Sequence, residues 1–141
     1  MKYQPVLGAS EVSDYVHEVF SESDMYNWTV DEVGEGRVVI TMKTGARDIR
    51  PGGTVSGPTM FALADIAAYI LTLAHIGKYP LAVTTNLNIN FLNKPAPGNL
   101  HAEARLIKLG KRLSVCDVSI FSGESETLVA HATATYSLPP R

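Results

Sequence analysis

The residues best suited to chemistry lie between positions 52 and 76. A glycine-rich turn, Gly52-Gly-Thr-Val-Ser-Gly57, leads into a helical stretch that is apolar on nearly every side and carries one acid, Asp65. A helix that is hydrophobic all round belongs in a protein core or a membrane. An ionised carboxylate there is costly unless it is paired, hydrogen-bonded or neutralised. Asp65 therefore needs either a partner or a task. A positioned carboxylate can act as a general base or a nucleophile. The helix start supplies the complementary group, because its free N–H groups and positive dipole end can hold a developing oxyanion. Gly57 allows close backbone approach and is the best donor, whereas Pro58 donates nothing. On one helix Asp65 lies about 12 Å beyond Gly57, at 1.5 Å per residue. A single copy cannot bring both to the same carbonyl, so a working pair needs a second copy of the helix.

Each of these residues also has a structural reading. Asp65 can be tied to Tyr69, Arg47 or Arg50 as part of a buried network. Ser56 can position a substrate or cap the helix, a role for which Ser is a preferred residue. It has no neighbouring His to make it a nucleophile. Arg50 can take a carbonyl or phosphate, or form an ion pair with Asp48 or Asp65.

The surrounding pattern indicates how these groups are held. Residues 10–20 form an amphipathic helix with Ser10 as its cap and Val12, Tyr15, Val16, Val19 and Phe20 along one stripe. Residues 25–33 and 37–43 read as a hairpin around Gly34-Glu-Gly36. The central helix follows, capped by Thr54 or Ser56, and ends near Gly77 with Pro80 beyond. Residues 81–92 alternate strictly: Val83, Thr85, Leu87, Ile89 and Phe91 on one face, Thr84, Asn86, Asn88 and Asn90 on the other. Asparagine is disfavoured in strands, so its repetition marks a polar seam between copies or a pocket wall. Residues 100–109, 113–121 and 128–138 complete the strands, joined by turns at 110–112 and 123–126. In the first of these, Ala102, Ala104, Leu106 and Lys108 oppose His101, Glu103, Arg105 and Ile107. The order is α-β-β-α-β-β-β-β, an α+β class in which one apolar helix packs on a curved, mostly antiparallel sheet.

Composition narrows the function. The chain of 141 residues, 45% hydrophobic and 18% charged, fits one globular domain over 1–141 with a sizeable core. A formal net charge of −2 lacks the basic field that nucleic-acid binding requires. Cys116 is the sole cysteine, which excludes an intramolecular disulfide framework and suits a reducing compartment. The first residues hold no apolar run of signal-peptide length, so a cytoplasmic location is expected. Asp65, Thr59, Thr72 and His75 argue against reading the central helix as a membrane span. His17, His75, His101 and His131 show no metal-ligand spacing, and no metal is expected.

The combination of Gly52-Gly-Thr-Val-Ser-Gly57 with Leu63-Ala-Asp65 resembles the phenylacetate-type (PaaI-like) hotdog acyl-CoA thioesterases. In that family a Gly-(Thr/Val)-x-His-Gly-Gly sequence precedes the central helix, and an acid eight residues beyond the first Gly of the pair is catalytic. Gly57 and Asp65 stand at that spacing. Further matches are Asn86-Leu-Asn-Ile-Asn-Phe-Leu92, Pro95-Ala-Pro-Gly98, Lys108-Leu-Gly-Lys-Arg-Leu113 and Val129-Ala-His-Ala-Thr-Ala-Thr-Tyr136. The likeness runs from about Asp24 to the end. The family's His is Ser56 here, its second Gly is Pro58, and a position often Asn or Gln is Arg50. These departures leave Asp65 and the Gly57 amide but remove a side chain that positions the thioester or holds the loop in relatives.

The resemblance implies a homodimer, with a dimer of dimers as a further option, in which one subunit's acid faces the other's helix start. It implies an acyl-CoA substrate, with coenzyme A part of that substrate and no separate cofactor. It also places at Thr84 a hydroxyl that orients the attacking water, where the residue alone reads as a β-former. The cations Lys108, Lys111 and Arg112 around Gly110 would lie near the coenzyme A nucleotide; alone they read as a solvated turn. Asn86 would face the substrate or the seam. The alternative is a non-catalytic acyl-CoA-binding protein whose activity went with the changes at Ser56 and Pro58.

Overall fold

The computed structural model describes residues 3–123 and 125–141. Its elements are α1 (Ala9–Val19), β1 (Asn27–Gly34), β2 (Arg37–Lys43), α2 (Gly57–Ile76), β3 (Val83–Phe91), β4 (Asn99–Leu109), β5 (Leu113–Ser122) and β6 (Leu128–Ser137). This is the expected order and the hotdog fold. The six strands form one antiparallel sheet in the spatial order β1-β2-β4-β5-β6-β3. The turn expected at 123–126 includes Glu124, which lies outside the described residues.

Helix α2 is long and apolar enough to cross a membrane, but 83% of its most apolar window is buried inside the chain. Leu63, Ile70, Leu71 and Leu73 are fully enclosed and pack on the inward residues of the sheet. Many of those are small: Ala102, Ala104, Ala130, Ala132 and Ala134. Their size lets the helix lie close to the sheet, where each buried Leu or Ile contributes about 1.5–3 kcal/mol. Thr72, fully buried on the sheet side of the helix, has its Oγ1 3.0 Å from Ser114 Oγ.

The structure differs from the sequence pattern at local devices that residue types alone do not reveal. Gly8, not Ser10, caps α1, and its N–H donates to Glu11 Oε1 at 3.1 Å. Residues 21–25 turn as a 3-10 helix, so the first strand starts at Asn27 rather than at Met25. The Ser23 hydroxyl bonds the Phe20 carbonyl at 2.8 Å, and the Trp28 indole donates to the Ser23 carbonyl at 3.0 Å, a local competition with extended pairing. Among the register shifts of the sheet, two move expected site residues to another face. One, between Leu106 and Lys108, sets Leu106 against Cys116 but Lys108 against Val115, so Lys108 leaves the inward row. The other, between Thr84 and Asn86, sets Thr84 against inward Tyr136 and Asn86 against Thr135. Thr84 and Asn86, expected on one face, therefore lie on opposite faces, because the inserted residue shifts the period of two.

His75 ties the end of α2 to the first hairpin. Its Nε2 accepts the Gly36 N–H at 2.9 Å, and its Nδ1–H donates to the Leu71 carbonyl at 2.9 Å. Burial lowers its pKa, opposed by the bond to Leu71. The unfolded chain takes up this proton near pH 6.5, before the folded chain does, so the contribution is present above that pH and is lost as pH falls. Urea midpoints measured between pH 7.5 and 5 should fall with pH. His75→Gln should flatten that slope even where its absolute stability is lower.

Candidate active site

The start of α2 is built by a short chain of hydrogen bonds. Ser56 is the N-cap: its Oγ accepts the Thr59 N–H at 3.3 Å and donates to Thr59 Oγ1 at 3.0 Å. Thr59 Oγ1 passes the chain to buried Asp48, 3.0 Å from Oδ1, while Asp48 Oδ2 takes the Gly45 N–H at 2.8 Å. The Asp48 carbonyl also holds the Ser56 N–H at 2.8 Å. The approach loop needs Gly52 and Gly53, whose φ angles of 103° and 86° are reached easily only by glycine.

This arrangement accounts for the N–H groups of the first turn. Pro58 has none, Thr59 gives its own to the Ser56 side chain, and Met60 bonds the Ser56 carbonyl at 3.2 Å. Among the described residues, nothing accepts from the Gly57 N–H. Gly57 borders a cleft of about 350 Å³ with Arg50, Thr54, Met60, Phe91 and Lys94. A Cβ at Gly57 would meet the Phe91 ring at 3.3 Å, so a side chain there would crowd this approach. Arg50 is exposed at the rim and, among the described residues, makes no ion pair with Asp48 or Asp65.

Asp65 lies two turns further along, in a different cleft of about 360 Å³ formed with Phe20, Tyr69, Pro80, Val83, Thr84 and Tyr136. None of the partners considered from sequence holds it. The Tyr69 hydroxyl donates instead to the Pro80 carbonyl at 2.9 Å. Thr84 Oγ1 donates to Asp65 Oδ1 at 2.8 Å, and the Tyr136 hydroxyl donates to the same oxygen at 2.7 Å. The β3 bulge turns Thr84 to the helix side and makes the first bond possible. Oδ2 has no donor among the described residues. No buried side-chain polar atom among them lacks a partner, so this half-buried residue presents Oδ2 to the cleft. Nearby Cys116 is no nucleophile, since burial raises its thiol pKa to about 12.

The remaining expected residues lie elsewhere. Asn86 is exposed on β3, one of the two edge strands of the sheet, with Asn88 and Asn90. Gly110 closes the β4–β5 turn by donating to the Leu113 carbonyl at 2.9 Å. Lys111 and Arg112 line a cleft of about 620 Å³ with Ser137, Leu138, Pro140 and Arg141. The Arg141 guanidinium donates to the Lys111 and Gly110 carbonyls at 2.9 and 3.3 Å. Among the described residues no carboxylate pairs with these three cations. Lys108 sits on the opposite side of its bulge from Leu106.

Sequence reading missed Tyr136 and Arg141. Tyr136 carried a usable signal: it falls in register with inward Ala132 and Ala134, and a buried tyrosine hydroxyl needs a partner. Arg141 carried none.

Comparison with known proteins agrees with this architecture. The family profile described as the thioesterase superfamily matches residues 52–129. An esterase candidate from Saccharolobus solfataricus is 30% identical over 135 residues, covering 94% of this chain and 86% of its own. The crystal structure of a thioesterase candidate from a Silicibacter species superposes with a TM-score of 0.89 at 44% identity, covering 98% and 96% of the two chains. The PaaI protein of the E. coli phenylacetic acid degradation operon shares the fold, with a TM-score of 0.81 at 23% identity and 93% of each chain covered. A Streptococcus pneumoniae thioesterase solved with coenzyme A does so with a TM-score of 0.74 at 21% identity, covering 94% and 97%. The profile spans the helix start, Asp65 and strands β3, β4 and β5, and with the 44% identical structure it establishes that this chain is a thioester hydrolase of the thioesterase superfamily.

Proposed function

We propose that the substrate is an acyl-CoA and that Asp65 of one subunit works with the Gly57 N–H of a second. The observation carrying this reading is the state of α2. Among the described residues one N–H at its start has no acceptor, one carboxylate oxygen two turns on has no donor, and the two groups border separate clefts. Neither half suffices for hydrolysis. A two-fold pairing of β3 edges would extend the sheet and lay the two helices antiparallel, bringing each start toward the other's acid. Two further features support the pairing: the exposed Asn86, Asn88 and Asn90, and an open apolar hollow of about 430 Å³ around Gly57, Pro58, Phe61, Ile89 and Phe91.

In this site the Gly57 N–H polarises the thioester carbonyl and holds the oxyanion. Asp65 either takes a proton from water as it attacks, or attacks the carbonyl itself and is released by water. A C–O bond forms, the C–S bond breaks, and the proton passes to the departing thiolate. Thr84 orients the carboxylate and the water beside it. Ser56 acts here through the cap it provides. No cofactor is required, because coenzyme A arrives as part of the substrate.

The cations at the rims suit the other end of such a substrate. The Streptococcus pneumoniae thioesterase was solved with coenzyme A, and the phosphates of that group favour cations and backbone amides. Lys111 and Arg112 beside Gly110, joined by Arg141, form one such patch, with Lys108 two residues before the turn, and Arg50 forms another beside Gly57. Asn86 lies at the seam between subunits.

Asp65→Asn should remain folded and lose at least about two orders of magnitude in turnover, read as free thiol released from a panel of acyl-CoAs. Unchanged hydrolysis by that protein would remove Asp65 from the mechanism, and binding without thiol release by the wild type would favour a non-catalytic acyl-CoA carrier. The double change Lys111→Ala and Arg112→Ala should raise KM for acyl-CoA about tenfold at low salt and by less at high salt. It should leave KM unchanged for an acyl thioester of N-acetylcysteamine, which has no phosphates.

A further inference from the structure

We propose that Tyr136 is a positioning residue for hydrolysis: with Thr84 it occupies Asp65 Oδ1 and so makes Oδ2 the oxygen that reacts. The inference deepens the acyl-CoA thioesterase reading and rests on it. Both donors converge on one oxygen, at 2.7 Å from Tyr136 and 2.8 Å from Thr84, and among the described residues none reaches the other. The Tyr136 hydroxyl also lies 3.1 Å from the Asp65 backbone carbonyl, but its single proton goes to the nearer, charged acceptor. Tyr136 is itself fixed. It is 3% exposed, and its ring stacks on Tyr69 with centroids 6.0 Å apart. Burial raises the phenol pKa well above its ordinary value, so the group stays a donor throughout the working pH range.

Two neutral donors on one oxygen do what a cation would not. An arginine could grip both oxygens in a bidentate pair and leave neither free. Here the χ angles of Asp65 are held from one side, and the unpartnered oxygen faces the cleft. Oδ2 keeps its lone pairs for the water proton or the carbonyl carbon. Removing one hydroxyl leaves the other in place and frees the carboxylate to turn, so the loss falls on turnover rather than binding.

The test is steady-state hydrolysis by Tyr136→Phe, Thr84→Val, their combination and Asp65→Asn, alongside thermal melts. Tyr136→Phe should lower kcat about tenfold with KM unchanged within about twofold, and the double variant should fall to within about tenfold of Asp65→Asn. A Tyr136→Phe protein whose kcat matches wild type, or whose loss lies in KM alone, overturns the positioning role. A lower melting temperature with unchanged kcat does the same and leaves the hydroxyl purely structural. If wild type hydrolyses and Asp65→Asn does not, an unchanged Tyr136→Phe refutes this inference alone. A wild type that releases thiol from no acyl-CoA refutes both readings.

Discussion

A carboxylate on a helix that is otherwise sunk in a core is the constraint around which this molecule is arranged. Desolvating such a group without donors costs several kcal/mol, and Asp65 is placed where two hydroxyls meet it. Those hydroxyls come from strands far apart in sequence, β3 and β6, which are neighbours in the sheet. Thr84 reaches inward only because a bulge interrupts β3, and Tyr136 only because the β6 register points its even-numbered residues at the helix. The alanines beside Tyr136 hold α2 near enough for both bonds. A local irregularity, a strand register and a pattern of small side chains are thus coupled through one side chain.

The opposite end of the helix shows a second economy. Four N–H groups at a helix start lack intrahelical acceptors. Here proline removes one, the serine cap takes another, and the Ser56 carbonyl closes the first intrahelical bond. Among the described residues the Gly57 N–H is left without an acceptor, and an aromatic ring lies where a side chain would stand. Ser56 and Pro58 thus leave one open donor at this turn among the described residues. Asp48 holds that turn from below through Gly45, Thr59 and Ser56.

Charge is distributed so that the acid and the cations do not cancel. Among the described residues the partners of Asp65 are neutral, and Lys111, Arg112 and Arg141 gather at the β4–β5 turn without a carboxylate. An ion pair at Asp65 would occupy the oxygens that the proposed hydrolysis needs. Cations left unpaired at a rim remain free for phosphate oxygens, so this separation suits a long substrate with a reactive acyl end and a charged nucleotide end.

The sequence by itself determined the element order, the buried central helix and the two groups on it, Gly57 and Asp65. These follow from periodicity, from glycine and proline placement and from the cost of a lone acid in an apolar run, which are local or additive properties. Even the separation of the two groups was legible, because helical rise is constant. What only the tertiary structure decided was who holds Asp65. Tyr69, Arg47 and Arg50 were natural candidates by proximity along the chain, yet Tyr69 satisfies the Pro80 carbonyl and Arg50 stays at the rim. The faces of Thr84 and Lys108 were likewise beyond strict alternation, since a bulge is set by pairing with a neighbouring strand and one extra residue reverses every side chain's face. Hydrogen-bond partners across a sheet depend on register, and register is a property of two strands together.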